Sequence, residues 1–498
     1  MGSKPAMPDS DMIVTLPMMS NPGFWKTLCF TCVFCIASVI ASSAQTFTTL
    51  VNLDDTDGAY PFAGLVEGSN GNFYGTTLRG GANITNCTNG CGTIFQMTGR
   101  GQLSTLYSFC AKPGCMDGSY PYSAPVEATN GMFYGTTFQG GLTGDGTVFE
   151  VSAKGAYTML HSFNGTDGED PYAGLILGSD GNLYGTTLFG GANGYGAIFK
   201  ITPAGALTTL YSFCAQANCT DGQFPYAGLM QASNGDFYGT TAAGGANSDG
   251  TVFELTSAGR LTTLYSFCSE TNCTDGYFPY AGLVQATDGN LYGTTYYGGS
   301  FTSCGIGVGC GTVFRVTPGG VLTTLHSFDG TDGQYSFAGL VQATDGNLYG
   351  TTYTGGPSGD GTIFEISLSG TLTTLHNFAG SDGDFPVADV VQATNGSFYG
   401  TSAFGGTNND GALFSLDLGL GPFVEILPTS AKVGTTVMIT GSNLTKTTGV
   451  SFNGTAASFK VVSTSEIQAA VPKGATSGEV KVKTASGTLT SNVTFQVR

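Results

Sequence analysis

The stretch Ala281-Gly-Leu-Val-Gln-Ala-Thr-Asp-Gly-Asn-Leu-Tyr-Gly-Thr-Thr-Tyr-Tyr-Gly-Gly299 contains the motif on which most of this 498-residue chain is built. Its core, Tyr-Gly-Thr followed by Thr or Ser, occurs seven times at intervals of 50 to 60 residues. The seven copies begin at Tyr74, Tyr134, Tyr184, Tyr238, Tyr292, Tyr349 and Tyr399. A repeat of this length is typical of solenoids and propellers, in which each unit packs against its neighbours.

One repeat predicts four short strands joined in sequence. Ala281–Thr287 is an apolar run, Asp288-Gly289 is a hairpin turn signal, and Asn290–Tyr297 is rich in aromatic and β-branched residues. Thr312–Thr317 alternates apolar and polar residues, and Leu322–Phe328 follows after a Pro-Gly-Gly turn. Four antiparallel strands in this order form one blade of a β-propeller.

The fourth strand follows only the first six repeats. Its copies begin at Leu103, Ala156, Ala206, Arg260, Val321 and Thr371. A segment of the same kind, Thr46–Leu53, precedes the first repeat. We expect this segment to complete the seventh blade and close the ring, because closure removes two exposed sheet edges. The predicted fold is therefore all-β, with a seven-bladed β-propeller over residues 45–421 followed by a small Ig-like β-sandwich.

The first 44 residues have the pattern of a secretory signal peptide. Lys26 precedes an uncharged, largely apolar stretch that ends in small residues before Gln45. This order predicts cleavage after Ala44. The alternative is an uncleaved membrane anchor, since the stretch is near the lower length limit for a spanning helix. Export would place the protein outside the cell or at its surface.

Ten of the 13 cysteines lie beyond the signal segment and form five close pairs. The pairs are Cys87/Cys91, Cys110/Cys115, Cys214/Cys219, Cys268/Cys273 and Cys304/Cys310. Locally paired cysteines in an exported chain predict disulfides. The alternative is zinc, which needs four ligands, whereas each pair is expected to lie in its own repeat without a histidine nearby. We therefore predict five local disulfides and no metal site.

Charge is distributed unevenly along the chain. Residues 45–421 carry 29 acidic and 7 basic residues, whereas residues 422–498 carry 3 acidic and 7 basic residues. A strongly acidic domain is a poor partner for nucleic acid or an anionic membrane surface. We expect an extracellular polysaccharide or surface protein as partner, no nucleic acid, and membrane attachment only through the N-terminal segment if it stays uncleaved.

The repeat stops at the linker Gly419–Pro422. Beyond it, residues 423–498 contain short β-rich runs separated by turns, which predicts a small sandwich. The sequence thus divides into a signal peptide at 1–44, a propeller at 45–421 and a sandwich at 422–498.

These motifs resemble two known families. The repeat Asp-Gly-x-x-Pro-Tyr-Ala-Gly-Leu, then Asp-Gly-Asn-Leu-Tyr-Gly-Thr-Thr, Gly-Gly, Gly-Thr-Val-Phe and Leu-Thr-Thr-Leu resembles GloVer tandem-repeat proteins of bacterial surfaces. The tail, with Val433-Gly-Thr-Thr436, Ile439-Thr-Gly-Ser-Asn443 and Val471-Pro-Lys-Gly-Ala475, resembles an IPT/TIG domain, an immunoglobulin-like module. The resemblance implies an exported or cell-surface protein and brings no settled activity with it.

Residues suited to catalysis are spread evenly through the repeats. The three histidines and three tyrosines occupy one position of the fourth strand: three repeats have His161, His326 and His376, and the other three have Tyr107, Tyr211 and Tyr265. An Asp-Gly pair precedes the first strand of every repeat, at Asp57, Asp117, Asp167, Asp221, Asp275, Asp332 and Asp382. These carboxylates are interpreted as turn caps, with calcium binding as the alternative. No catalytic residue and no cofactor is predicted, and the alternative function is a secreted carbohydrate-active enzyme that uses propeller carboxylates, such as the pair Asp145 and Asp360.

The best candidate site is a set of aromatic residues just before the first strand of six repeats. They are Phe62, Tyr122, Tyr172, Tyr226, Tyr280 and Phe337, with Val387 in the seventh repeat. Sevenfold arrangement predicts a ring at the mouth of the central channel, on the side of the long loops. There the rings either stack on sugar rings or pack on one another. The sequence thus favours a noncatalytic binding or scaffold protein, with carbohydrate as the expected ligand.

Overall fold

The computed structural model describes residues 45–84, 87–302, 304–305 and 307–498. The predicted signal peptide, residues 1–44, lies outside these described residues. The regular secondary structure of the described chain is almost entirely β-strand. Its short 3-10 helices span Pro113–Cys115, Ala217–Cys219, Thr271–Cys273 and Leu444–Lys446. Within the described chain, no helix is long and apolar enough to cross a membrane.

Each repeat forms one four-stranded antiparallel sheet. The strand β1 (Thr46–Asn52) comes first in the chain and is considered below. The first two sheets contain β2 (Val66–Glu67), β3 (Phe73–Thr77), β4 (Thr93–Met97) and β5 (Leu103–Ser108), then β6 (Val126–Glu127), β7 (Met132–Thr137), β8 (Thr147–Ser152) and β9 (Tyr157–Ser162). The third and fourth contain β10 (Ile176–Leu177), β11 (Leu183–Thr187), β12 (Ala197–Ile201) and β13 (Leu207–Ser212), then β14 (Met230–Gln231), β15 (Phe237–Thr241), β16 (Thr251–Leu255) and β17 (Leu261–Ser266).

The later sheets follow the same order. The fifth and sixth contain β18 (Val284–Gln285), β19 (Leu291–Thr295), β20 (Thr312–Val316) and β21 (Leu322–Ser327), then β22 (Val341–Gln342), β23 (Leu348–Thr352), β24 (Thr362–Ile366) and β25 (Leu372–Asn377). The seventh contains β26 (Val391–Gln392), β27 (Phe398–Ser402) and β28 (Ala412–Asp417), with β1 as its fourth strand. Meandering sheets of this kind are propeller-like blades.

The Tyr-Gly-Thr motif joins each sheet to the next. The ring of Tyr74 is buried and stacks on Phe133 of the second sheet, with ring centroids 3.8 Å apart. A Cβ at Gly75 would lie 2.6 Å from the Phe95 ring, so only glycine fits there. The Thr76 hydroxyl donates a hydrogen bond of 3.0 Å to the Ser123 carbonyl of the second sheet. Apolar contacts and one buried hydrogen bond therefore hold neighbouring sheets together.

The same contacts join the seventh sheet to the first. Tyr399 stacks on Phe73 at 4.0 Å, and the Thr401 hydroxyl donates to the Ala63 carbonyl at 2.8 Å. The strand β1 pairs antiparallel with β28 from Thr46 opposite Asp417 to Asn52 opposite Ala412. The predicted pairing of the N-terminal strand with the seventh repeat is confirmed.

The C-terminal residues form two further four-stranded sheets. The first has the order β29 (Val424–Leu427), β31 (Thr436–Gly441), β35 (Glu466–Ala470) and β34 (Phe459–Val461). The second has the order β33 (Thr455–Ala457), β32 (Gly449–Phe452), β36 (Val480–Lys483) and β37 (Thr488–Thr490). The strands β30 (Ser430–Ala431) and β38 (Gln496–Val497) pair in parallel beside them. A common apolar core contains residues of both four-stranded sheets, including Ile439, Phe452 and Val482.

The C-terminal sheets pack on the turns between the first and second strands of the repeats. The Ser465 hydroxyl donates to the Ser69 carbonyl at 2.7 Å, and the Phe423 amide donates to the Thr394 carbonyl at 3.1 Å. In the linker, Leu418 and Leu420 pack against the apolar cluster beside the seventh sheet. The side of the ring that carries these short turns, here the short-turn face, is therefore partly covered.

Candidate ligand-binding face

The opposite side of the ring carries the long loops and is here the long-loop face. The six predicted aromatic residues meet there as a continuous series, each from a different repeat. Ring centroids are 5.8 Å apart for Phe62–Tyr122, 4.5 Å for Tyr122–Tyr172, 5.4 Å for Tyr172–Tyr226, 4.8 Å for Tyr226–Tyr280 and 5.4 Å for Tyr280–Phe337. The predicted proximity of these residues is thus present in the structure. Val387 stands at the one position of the series without a ring.

The aromatic series also lines a cavity of ≈ 450 Å³. Its walls are the six rings, Val387 and the small residues that follow them in each repeat. All six aromatic side chains are half-buried, so each contacts its neighbours and still presents surface to the cavity. The two predicted roles, packing and ligand contact, are geometrically compatible.

The phenol groups in the cavity are neutral hydrogen-bonding groups. Burial raises the pKa of Tyr280 to about 12, and it raises the pKa of Tyr122, Tyr172 and Tyr226 as well. Within the described part of the chain, these four hydroxyls engage in no hydrogen bond. Each hydroxyl is both a donor and an acceptor, so the cavity offers polar contacts between apolar ring faces.

A carboxylate that the sequence analysis missed lies two residues beyond Val387. Asp389 lines the cavity, and its Oδ1 accepts a hydrogen bond from the Gly339 amide. The corresponding positions of the other repeats are Gly64, Ala124, Gly174, Gly228, Gly282 and Gly339. The Asp389 side chain is exposed to the cavity, yet the surrounding channel wall desolvates it and raises its pKa. An alignment of the seven repeats against one another would have found this residue.

A second set of residues, six of them aromatic, lies two positions before the members of the aromatic series. These residues are Tyr60, Tyr120, Asp170, Phe224, Phe278, Tyr335 and Phe385, and all have φ between 53° and 60°. Bulky residues seldom adopt this left-handed conformation. Two hydrogen bonds hold Tyr60 in it: its amide donates to the Asp410 carbonyl of the seventh repeat at 2.7 Å, and the Leu78 amide of its own repeat donates to its carbonyl at 3.0 Å. These hydrogen bonds therefore fix the loops that precede the aromatic series.

The long-loop face is also acidic. Asp145 lies near Asp170, and Asp360 lies near Asp384. Burial, and then the charges of Glu169 and Asp145, raise the pKa of Asp170 to about 6. Burial, and then the charge of Asp360, raise the pKa of Asp384 to about 6. The carboxylates singled out in the sequence, Asp145 and Asp360, thus belong to two separate pairs in different repeats. Two such pairs in separate parts of the long-loop face fit an acidic surface better than a unique catalytic centre.

The aspartates of the Asp-Gly pairs bond to their own loops. Asp117 accepts hydrogen bonds from the Tyr107 hydroxyl at 2.6 Å and from the Ala111 amide at 2.9 Å. In the sixth repeat, Asp332 instead lies 2.7 Å from His326 Nε2. Tyrosine and histidine thus play the same part at this strand position, which agrees with the interpretation of these aspartates as turn caps.

Five disulfides join the predicted cysteine pairs, so the predicted pairing is confirmed: Cys87–Cys91, Cys110–Cys115, Cys214–Cys219, Cys268–Cys273 and Cys304–Cys310. The expectation that each pair lies apart from the others is wrong for two of them. Cys87 Sγ lies 3.7 Å from Cys110 Sγ, and the four sulfur atoms of these two pairs lie within 4.8 Å of one another. The loop after β3 and the loop after β5 meet at this point, a proximity that sequence distance does not reveal.

Comparison with known proteins identifies the repeat. The sequence profile of the Gloeobacter/Verrucomicrobia repeat matches residues 83–307 and 300–461, which is more than half of the chain. The chain belongs to the Gloeobacter/Verrucomicrobia repeat family. The resemblance to GloVer proteins noted from the sequence is therefore confirmed. The second match extends past β28 into the C-terminal sheets. No curated protein matches this repeat protein significantly.

Solved structures with similar folds are distant in sequence. A fungal alcohol oxidase of the AA5 family, solved in complex with copper, has 12% identity and a TM-score of 0.50, with 91% of this chain and 98% of that chain covered. A putative 6-phosphogluconolactonase from Bacteroides fragilis has 16% identity and a TM-score of 0.41, with 63% and 85% covered. At 12% identity, the similarity to the alcohol oxidase concerns the fold alone. At a TM-score of 0.41, the similarity to the putative 6-phosphogluconolactonase supports no inference about this chain.

Proposed function

We propose that this Gloeobacter/Verrucomicrobia repeat protein is an exported binding or scaffold protein that recognises carbohydrate in the aromatic cavity of its long-loop face. The observation that carries the proposal is the series of six half-buried rings from six repeats around one cavity. Each ring has one surface on a neighbour and another on the cavity. A ligand therefore meets rigid apolar faces whose side chains lose little further conformational freedom on binding.

The chemistry of the cavity suits a saccharide. Pyranose rings present apolar C–H faces and a rim of hydroxyls, and the cavity presents aromatic faces with phenol hydroxyls between them. Ligand sites of this kind combine mainly apolar walls with a few placed polar groups. Loops held by a rigid β-scaffold are also the usual place for recognition.

The proposed architecture is a seven-bladed propeller over residues 45–421 followed by an Ig-like, IPT/TIG-type domain over residues 422–498. Seven repeat sheets and the contacts between the seventh and first support the propeller. Two four-stranded sheets around a common core support the second domain. In this arrangement the C-terminal domain covers part of the short-turn face and leaves the long-loop face open to a polymer.

Export is part of the proposal. Residues 1–44 act as a secretory signal, and the five disulfides suit an oxidising compartment outside the cytosol. The acidic repeat domain disfavours nucleic acid as partner, which leaves an extracellular polysaccharide or surface protein.

A glycan array tests the proposed function directly. The wild-type chain from residue 45 onward is expected to bind a subset of glycans, and the double variant Tyr226→Ala, Tyr280→Ala is expected to lose that binding. The matched control is Tyr226→Phe, Tyr280→Phe, which keeps both rings and removes only the hydroxyls. Because stacking depends on the rings, the Phe variant is expected to retain most of the affinity.

Folding of each variant is checked by its thermal unfolding midpoint. Undiminished glycan binding by a folded Ala variant would remove the aromatic series from the site. Absence of glycan binding by the wild-type chain would overturn the proposed function itself.

A further inference from the structure

We propose that the cavity selects saccharides that carry a protonated amine, with Asp389 as the counter-ion of that amine. This inference rests on the carbohydrate-binding function proposed above and names its ligand class. It depends on one carboxylate, its position inside the aromatic cavity, and the charge of the face around it.

Asp389 is a departure from the repeat sequence in the wall of the cavity. Six repeats have glycine or alanine at this position, and the seventh has a carboxylate. Among the described residues that line the cavity, Asp389 is the only charged one. One of its oxygens accepts the Gly339 amide, which fixes the orientation of the group.

No basic side chain of the described lining neutralises Asp389, and its carboxylate forms none of the ion pairs found in the described chain. Arg79, a basic residue of the long loops, is engaged elsewhere. Its guanidinium lies 4.6 Å from the centre of the Tyr120 ring and donates to the Thr88 carbonyl at 2.9 Å. A carboxylate without a counter-ion is costly in a partly desolvated cavity, so a cationic ligand gains binding free energy from pairing with it and a neutral ligand does not.

An ammonium group fits the whole cavity. It donates up to three hydrogen bonds, and the same cavity offers acceptors of two kinds, the Asp389 carboxylate and the phenol oxygens of four tyrosines. The aromatic faces attract a cation through their quadrupoles. The acidic pairs Asp145/Asp170 and Asp360/Asp384 lie on the same face and repel anionic saccharides.

A divalent metal ion fits the cavity less well. Calcium takes six to eight oxygen ligands, usually from several carboxylates and carbonyls. The cavity provides one carboxylate, and the equivalent positions of the other repeats have no side-chain oxygen. The donor set therefore matches one ammonium group better than a metal ion.

Isothermal titration calorimetry with two tetrasaccharides tests the inference. The probes are a tetramer of β-1,4-linked glucosamine and its fully N-acetylated, neutral counterpart, at a pH where the amines are protonated. The wild-type chain is expected to bind the amine form about tenfold more tightly, equivalent to about 1.4 kcal/mol. Asp389→Asn keeps the acceptor for the Gly339 amide and removes the charge, so it is expected to abolish the preference, with the ratio of the two affinities falling from about tenfold to about one. Asp389→Gly restores the residue found in most repeats and is expected to act in the same way.

The matched control is Asp384→Asn, which removes a charge from the same face outside the cavity and is expected to keep the preference. Equal binding of both tetramers by the wild-type chain would overturn the amine selectivity and leave the carbohydrate function standing. A preference that survives in Asp389→Asn, or that disappears equally in Asp384→Asn, would also overturn it. Binding of neither tetramer, together with a blank glycan array, would overturn both proposals. Calcium binding that depends on Asp389 and displaces the amine tetramer would assign the carboxylate to a metal instead.

Discussion

The seventh repeat sheet and the other six use the same contacts between sheets but differ in the residues at the channel. Thr401 and Thr240 donate equivalent hydrogen bonds to the next sheet, at 2.8 and 2.9 Å. The seventh sheet, however, takes its fourth strand from the N-terminus, and it has Val387 and Asp389 where other repeats have an aromatic residue and a small one. Contacts shared by all repeats build the ring, whereas departures from the repeat mark where the ring closes and where the cavity acquires its charge.

The largest effect is expected from removal of the closing strand. Deletion of residues 46–52 exposes the edge of β28 and removes Phe47, which stacks on His376 with centroids 3.7 Å apart. Loss of a strand and its apolar contacts should cost several kcal/mol, which lowers the unfolding midpoint by roughly 10 °C or more. Differential scanning calorimetry measures this shift. Thr48→Ala, a change at an exposed position of the same strand, serves as the control and should leave the midpoint nearly unchanged.

A deletion variant that melts with the wild-type midpoint would show that the seventh sheet does not need its N-terminal strand.

A smaller effect is expected from the hydrogen bonds between sheets. Thr401→Val removes the donor to Ala63, and Thr240→Val removes the equivalent donor to Ala281. Each change leaves a buried carbonyl without that donor at nearly constant side-chain volume, which should cost about 1–3 kcal/mol. If the seventh sheet packs on the first as the others pack on their neighbours, the two losses measured by urea unfolding should agree. A much smaller loss at Thr401 would contradict a closed ring.

The contact between the seventh and first repeats also predicts that the free energy of unfolding depends on pH. Glu67 accepts hydrogen bonds from the Thr394 amide at 2.6 Å and hydroxyl at 3.0 Å, and Glu425 of the C-terminal region lies near it. Burial, and then the Glu67 charge, raises the pKa of Glu425 from 4.5 to about 8. The folded state thus disfavours the ionised form, so stability should decrease as the pH rises from about 4.5 to about 8.

Glu425→Gln removes this titration and should raise the unfolding midpoint at pH 9 relative to the wild-type chain, with little difference at pH 4. Solvent reaches part of the side chain, so the gain should be the smallest of the three effects. An equal gain at both pH values would assign it to packing rather than to charge.

The sequence predicted the features that recur in every repeat. Tyr-Gly-Thr recurs because the tyrosine packs on the next sheet, the glycine admits a phenylalanine ring and the threonine bonds to a carbonyl of the next sheet. A residue that is required in every repeat can be recognised from the sequence alone. The absence of a fourth strand after the seventh repeat can be recognised in the same way. The aromatic series was visible for the same reason.

The remaining features depend on single residues or on folded geometry. Asp389 is one departure among seven copies, so a pattern of similarities does not reveal it. The left-handed conformation of Tyr60 and its equivalents arises from hydrogen bonds between sheets that local sequence does not encode. The contact between Cys87 and Cys110 joins two loops that are brought together only by the pairing of β3, β4 and β5.

Hydrogen–deuterium exchange on the chain from residue 45 onward, with and without the glucosamine tetramer, tests the central claim most directly. Saccharide bound in the aromatic cavity should slow amide exchange around residues 60–65, 170–175, 224–229 and 278–283, and at residues 385–390. The short turns on the other side, such as residues 68–72 and 286–290, should exchange at unchanged rates. Slowed exchange confined to the short turns or to the C-terminal sheets, with no change beside the aromatic series, would contradict a binding site on the long-loop face.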